Sequence, residues 1–267
     1  MAVPLTKSCA LRSGSSGNAI FVGNGQTRLV IDAGVCCRTM EQALAEIGES
    51  ADRLDGILIT HEHTDHIAGV GVLMRRYRVP LYVNAATWQA MSRLIGPVDE
   101  NLIRLIDCDQ PLSIGDLGLT CFRTPHDAVA SVGYRIDTPT GSVAVFTDIG
   151  SLQENLLETV AGCRTIYIEA NYDHTMLMAG SYPAMLKKRI AGQYGHLSNE
   201  DCATAVCRLL AHGTSHFVLS HLSKDNNYPE LAQLTVNSRL EMIGAKAGRD
   251  LSVAVARRFA VSEPVCF

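Results

Sequence analysis

No run of the 267-residue sequence approaches the roughly 18 apolar residues of a membrane span. Residues 1–21 hold no continuous apolar segment of the signal-peptide kind, because Lys7, Arg12 and a Ser/Gly cluster interrupt them. A cytoplasmic protein without a membrane partner is therefore expected. Positive charge is not in excess either: 23 Lys and Arg stand against 27 Asp and Glu, a formal net charge of −4. No global basic field advertises nucleic acid, so a polyanion would have to be held locally. Aromatic residues are sparse, and Trp88 and the tyrosines are too dispersed to define stacking platforms. The nine cysteines include no C-x-x-C pair, and Cys36 and Cys37 are neighbours that could not bridge comfortably. That spacing argues against a thiolate metal site and for reduced, mostly buried thiols.

What is present suits a sizeable core, since 47% of the chain is hydrophobic. Apolar runs of strand length alternate with amphipathic stretches. Strands are expected over residues 19–22, 27–31, 56–60, 81–83, 102–106, 119–123, 132–136, 143–147, 164–168, 216–219 and 251–255. Helices are expected over residues 39–47, 65–77, 87–95, 152–160, 183–191, 199–211 and 229–243. Without repeats, low-complexity tracts or linkers, residues 1–267 read as one α/β domain of layered sheets and helices.

Several strand candidates end in a residue able to bind metal: His61, His126, Asp148, Glu169 and His221. If those strands share an orientation, the residues collect at one sheet edge. The densest stretch is His61-Glu-His-Thr-Asp-His66. His61 and His63 are two apart, so in an extended segment both rings point to one side and can grip one ion. Asp65 and His66 sit where the chain turns into a helix, a direction that suits a second ion. The set is not a zincin motif, because the position four after His61 is Asp65. Imidazole and carboxylate without thiolate fit zinc, manganese or iron.

The run from His61 to His66 resembles the H-x-H-x-D-H signature of the metallo-β-lactamase superfamily, and Ile31-Asp-Ala-Gly34 resembles its early Asp motif. The resemblance implies an αββα four-layer sandwich and two divalent metal ions, zinc or manganese. One ion would be held by His61, His63 and His126, the other by Asp65, His66 and His221, with Asp148 bridging and Asp32 supporting the ligands from behind. A metal-bound hydroxide would be the nucleophile, oriented or relieved of its proton by Asp65.

Three further stretches, Ile168-Glu-Ala-Asn-Tyr-Asp173, Gly195-His-Leu-Ser-Asn-Glu-Asp201 and Ser220-His-Leu-Ser-Lys-Asp-Asn-Asn227, resemble the nuclease branch that includes RNase J. Without the inserted CASP domain, their arrangement is similar to the YycJ/WalJ group of 5′ to 3′ DNA exonucleases. The resemblance implies that His196 protonates or stabilises the leaving oxygen while Glu169 keeps it protonated. Ser198-x-x-Asp201 is a capping-box-like start for the helix that follows. Substrate contacts are expected from Ser15, Ser16 and Asn18 in Gly14-Ser-Ser-Gly-Asn18, and from Lys224, Asn226 and Asn227. The basic groups at residues 75–78 and 187–189 are candidates for a backbone track. A DNA substrate is the first expectation and RNA the second. The competing readings are a small-molecule metallo-hydrolase of the same fold, a thioesterase or cyclic phosphodiesterase, and a non-catalytic nucleic-acid binder or iron redox protein.

Overall fold

The computed structural model describes residues 5–108 and 110–267, so residues 1–4 of the amino-terminal stretch read for a signal lie outside the described residues. The chain divides into two compact units. The first comprises residues 1–123, 128–141 and 257–267, the second residues 124–127 and 142–256.

In the first unit, β1 (Lys7–Arg12), β2 (Ala19–Gly23) and β3 (Arg28–Ile31) form an antiparallel meander. After α1 (Cys37–Glu46), β4 (Gly56–Leu58) joins β3 in parallel. Then follow α2 (Thr64–Ile67), α3 (Val70–Tyr77), β5 (Leu81–Val83), α4 (Ala85–Met91) and β6 (Ile103–Leu105), with β5 and β6 extending the parallel part. A short strand, Val265–Cys266, pairs with β1 at the other edge. The strands β7 (Leu112–Ile114), β8 (Leu117–Arg123) and β9 (Val132–Thr138) form a second antiparallel set. β8 alternates buried and less buried positions over most of its length, as a strand with one covered face does. β2 and β3 are buried at every position. Their cover comes from helices with an apolar face: Met40 and Leu44 of α1 and Leu73 and Met74 of α3 join Phe21, Val30 and Ile57 in one core.

The second unit is built on β10 (Gly141–Phe146), β11 (Thr165–Glu169), β12 (His216–Ser220) and β13 (Ser252–Val255), all parallel. The helices between them are α5 (Glu154–Val160), α6 (His174–Ala179), α7 (Ala184–Ile190), α8 (Asn199–Leu210) and α9 (Pro229–Met242). β11 is buried throughout, the pattern of a parallel strand covered on both faces. The α/β class expected from the sequence is therefore present in both units.

The expected helix over residues 65–77 is broken in two at Ala68 and Gly69, for a visible reason. The Asp65 carbonyl, which would accept from Gly69 in a continuous helix, instead accepts from the Asn18 N–H at 2.8 Å, while the Gly69 N–H donates to the Ala33 carbonyl at 2.8 Å. A Cβ at Gly69 would lie 2.1 Å from the Val35 carbonyl oxygen, so only glycine permits this approach. The break frees the turn bearing Asp65 and His66 to sit against residues 18 and 33.

Candidate metal centre

Parallel pairing decides where the ligand candidates of the first unit emerge. β3 and β4 run side by side with Ile31 opposite Leu58, so Asp32 and the segment 59–61 leave the sheet at the same edge. Asp32 takes φ 61°, which turns its carboxylate back across that edge. Its Oδ1 accepts the Thr60 N–H at 2.9 Å, and its Oδ2 accepts the Thr60 hydroxyl at 2.8 Å and the His66 Nδ1–H at 2.7 Å. With its proton committed to Asp32, the Thr60 hydroxyl accepts from His61 Nδ1 at 2.9 Å. Two tautomers follow from this network. His61 and His66 both carry the proton on Nδ1, and Nε2 of each offers its lone pair to a ligand. Asn18 Nδ2 donates to that lone pair of His66 at 3.0 Å.

The donor atoms are spaced as ligands of a cation. His61 Nε2 and His63 Nδ1 are 3.1 Å apart, and His66 Nε2 and Asp65 Oδ2 3.6 Å. Two ligands bonded at about 2.0 Å to one tetrahedral ion stand roughly 3.3 Å apart. His61 and His66 are wholly buried, whereas His63 and Asp65 keep some exposure. This half of the set fits a divalent metal by its chemistry, its tautomers and its spacing.

The second unit repeats the device. β10, β11 and β12 are parallel, with Phe146 opposite Ile168 and Glu169 opposite Ser220. Asp148, Glu169 and His221 therefore leave at one edge, and Asp148 and His221 take φ 58° and 56°. Asp148, Glu169, His196 and His221 each offer a ligand atom within 4.8 Å of the others. Glu169 is fully buried and satisfied on both oxygens. Oε1 lies 2.8 Å from both His196 Nδ1 and His221 Nδ1, and Oε2 accepts the N–H groups of Ile149 at 2.8 Å and Leu197 at 3.1 Å. Burial alone would raise its pKa, but His196 and His221 outweigh that and hold the carboxyl well below its ordinary range. Burial likewise opposes a charge on His196, yet Glu169 wins and raises its pKa. His126 differs. Burial dominates there and lowers its pKa, and its Nδ1 donates to the Gly195 carbonyl at 3.0 Å, which leaves Nε2 as the ligand nitrogen.

His196 is delivered by a tight turn before α8. Ser198 caps that helix, its hydroxyl accepting from Asp201 N–H, as the S-x-x-D spacing predicts. A Cβ at Gly195 would meet the Ile190 carbonyl oxygen at 2.1 Å, so the turn needs glycine just before the histidine.

The expected substrate contacts divide. Ser15, Ser16 and Lys224 are exposed. Asn18 is buried, with Oδ1 accepting from Gly14 N–H and Nδ2 on His66, so it braces the ligand loop. Asn226 and Asn227 are buried too, and Asn227 spends its amide on Ala170, Asn171 and Asn199. The basic groups are mostly engaged locally: Arg75 donates to the carbonyls of Ile95 and Pro97, Arg76 pairs with Glu41, Arg78 with Asp99 and Arg189 with Asp127. Sequence reasoning missed Thr60 and Asn171, whose Nδ2 donates to the His221 carbonyl at 2.8 Å. Thr60 was discoverable from its place just before His61. Asn171 lies in Ile168-Glu-Ala-Asn-Tyr-Asp173, a stretch already singled out, though with no role assigned to this residue.

A family model described as the β-lactamase superfamily domain matches residues 27–222, a span that contains every histidine and carboxylate just described. The chain is 41% identical over 245 residues to exodeoxyribonuclease WalJ of Streptococcus pneumoniae, covering 91% of each chain. It is 35% identical over 243 residues to exodeoxyribonuclease YycJ of Bacillus anthracis, covering 91% of this chain and 92% of that protein. Among solved structures, the metallo-β-lactamase fold protein YhfI of Bacillus subtilis superposes with a TM-score of 0.72 at 18% identity, covering 97% of this chain and 99% of YhfI. That last likeness speaks to the fold alone.

Proposed function

The chain belongs to the β-lactamase superfamily, and on that premise we propose that it is a metal-dependent 5′ to 3′ DNA exonuclease of the cytoplasm. The observation that carries this reading is the 41% identity to an exodeoxyribonuclease over 91% of both chains. In this reading residues 1–267 act as one domain. His61, His63 and His126 would hold one zinc or manganese ion and Asp65, His66 and His221 the other, with Asp148 as a further ligand.

When bound, such cations supply Lewis acidity that lowers the pKa of a coordinated water toward neutrality and balances charge on the phosphate oxygens. The protein's own groups do the rest. Asp32 and Thr60 fix the ring nitrogens that face the ions. Asp65, partly exposed, orients the attacking water and takes its proton. His196, kept protonated by Glu169, donates to the leaving oxygen. Ser15, Ser16 and Lys224, which stand in solvent, are the candidates for contacts along the strand. A small-molecule hydrolase is the weaker reading, because relatives at 41% and 35% identity over 91% of this chain are named exodeoxyribonucleases.

The test is a substrate panel with Mn²⁺ or Zn²⁺: single- and double-stranded DNA, RNA, a thioester and a simple phosphodiester, each with wild type and Asp65→Ala. DNA cleavage lost in the variant is expected. Turnover of the small esters with intact DNA would overturn the proposal.

A further inference from the structure

One cavity in the first unit has no part in the ligand network yet shares a wall with it. It encloses about 400 Å³ and is lined by Arg12, Ser16, Cys36, Thr39, Arg258 and Phe259, together with Gly34 and Val35. The chain constructs it from three places far apart in sequence: the end of β1, the start of α1 and the segment before the last short strand. Two guanidinium groups face it, and no lining residue is acidic. Among the described residues Arg12 meets no carboxylate, and its guanidinium donates only to the neighbouring Leu11 carbonyl. Arg258 lies flat against Gly14, whose φ of 130° and lack of a side chain permit it: a Cβ there would come within 2.6 Å of Arg258 Nη1. Cys36, the cap of α1, lines the cavity beside Thr39, with its Sγ 3.2 Å from the Thr39 hydroxyl. Ser16 and Thr39 add hydroxyls, and Phe259 is 72% exposed.

Gly34 sets the position. A Cβ on it would fall 1.6 Å from the Asp65 carbonyl oxygen, so a single residue's thickness separates the cavity from the Asp65–His66 turn. Two planar guanidinium cations, two hydroxyls and an aromatic ring in one lining match a phosphate carrying a nucleoside.

We propose that the Arg12–Arg258 cavity is a phosphate pocket that holds a phosphate of the substrate strand beside the Asp65–His66 turn, with Phe259 stacking on the attached nucleoside. This rests on the DNA-nuclease reading. The phosphate has two sources, a 5′-terminal monoester or a bridging diester, and the experiment separates them. Arg12→Gln, Arg258→Gln and the double variant are compared with wild type on otherwise identical 5′-phosphorylated and 5′-hydroxyl DNA, reading KM. Anisotropy of the phosphorylated strand is followed in parallel with chelated protein, as a function of salt. KM and Kd are expected to rise about tenfold or more in the double variant, as loss of charge-assisted contacts does. The slope of log Kd against log salt should shrink by about one per arginine. An effect confined to the phosphorylated strand assigns a terminal monoester, and an equal effect on both strands assigns a bridging diester. Because Arg258 also packs on Gly14, the Arg12→Gln single variant and a thermal melt guard against simple misfolding. Unchanged KM, Kd and salt slope in folded variants would overturn the pocket. A wild-type protein that cleaves no DNA would instead count against the nuclease reading, while the anisotropy arm would still decide the pocket.

Discussion

Asp32, Asp148 and His221 share a backbone conformation that non-glycine residues adopt only a few per cent of the time, with φ between 56° and 61°. Each follows a strand, and each turns a polar side chain back over the sheet edge it has just left. Such conformations persist where surrounding bonds over-determine them, and Asp32 is held by three. Candidates for the proposed centre stood out in the sequence because ligand chemistry tolerates few side chains. The bracing was legible only in part: Asp32 lies in a recognisable motif and Thr60 just before His61, but the bond from Asn18 to His66 exists only once the fold brings the two together. His196→Ala is expected to lower turnover by about 10²–10⁴-fold with metal content, read by atomic absorption, unchanged. Glu169 offers a pH test on chelated protein. Its depressed carboxyl contributes stability above the ordinary glutamate pKa of about 4.3 and loses it as pH falls through the lower folded value. His196, raised, contributes below the ordinary histidine pKa of about 6.5 and loses its share as pH rises through the folded value. The stability gap between wild type and Glu169→Gln, from urea titrations, should therefore be widest between about pH 4.3 and 6.5 and narrow on either side.

At the scale of elements, the long helices α8 and α9 were legible with ends correct to a residue or two, α8 through the Ser198 cap and its apolar face and α9 through Pro229 in its first turn and the buried ridge Ala232, Val236 and Leu240. β1 was not, because Lys7-Ser-Cys-Ala-Leu-Arg12 lacks β-branched residues and is a strand through its pairing with β2. α6 escaped as well: it is short and rests on the Asp173 cap, whose side chain accepts from Met176 N–H at 2.8 Å. The split between α2 and α3 could not be read from periodicity, because contacts with residues 18, 33 and 35 cause it. Two substitutions probe these elements. Ser198→Ala should destabilise the protein by about 1 kcal/mol through the lost cap of α8, measured by urea denaturation. Gly34→Ala has nowhere to put its methyl group and should cost about 1–3 kcal/mol or more, with a fall in metal content as the Asp65 turn is displaced.

For the whole molecule, the net charge is negative, and Arg76, Arg78 and Arg189 of the two basic groups are each paired with a carboxylate. Binding of a nucleic-acid strand then rests on a few local cations, and cleavage should still weaken as salt rises, with a modest slope that counts those contacts. Removing metal should lower the melting temperature and restoring it should bring the temperature back, since a ligand bound only by the folded state stabilises it. The measurement closest to the central claim is a time course of DNA labelled at either end, incubated with Mn²⁺ and with chelator. Release of the 5′ label first, abolished by chelator and by Asp65→Ala, is the expected result. DNA left whole in the presence of metal, label lost first from the 3′ end, or cleavage undiminished in the variant would contradict it.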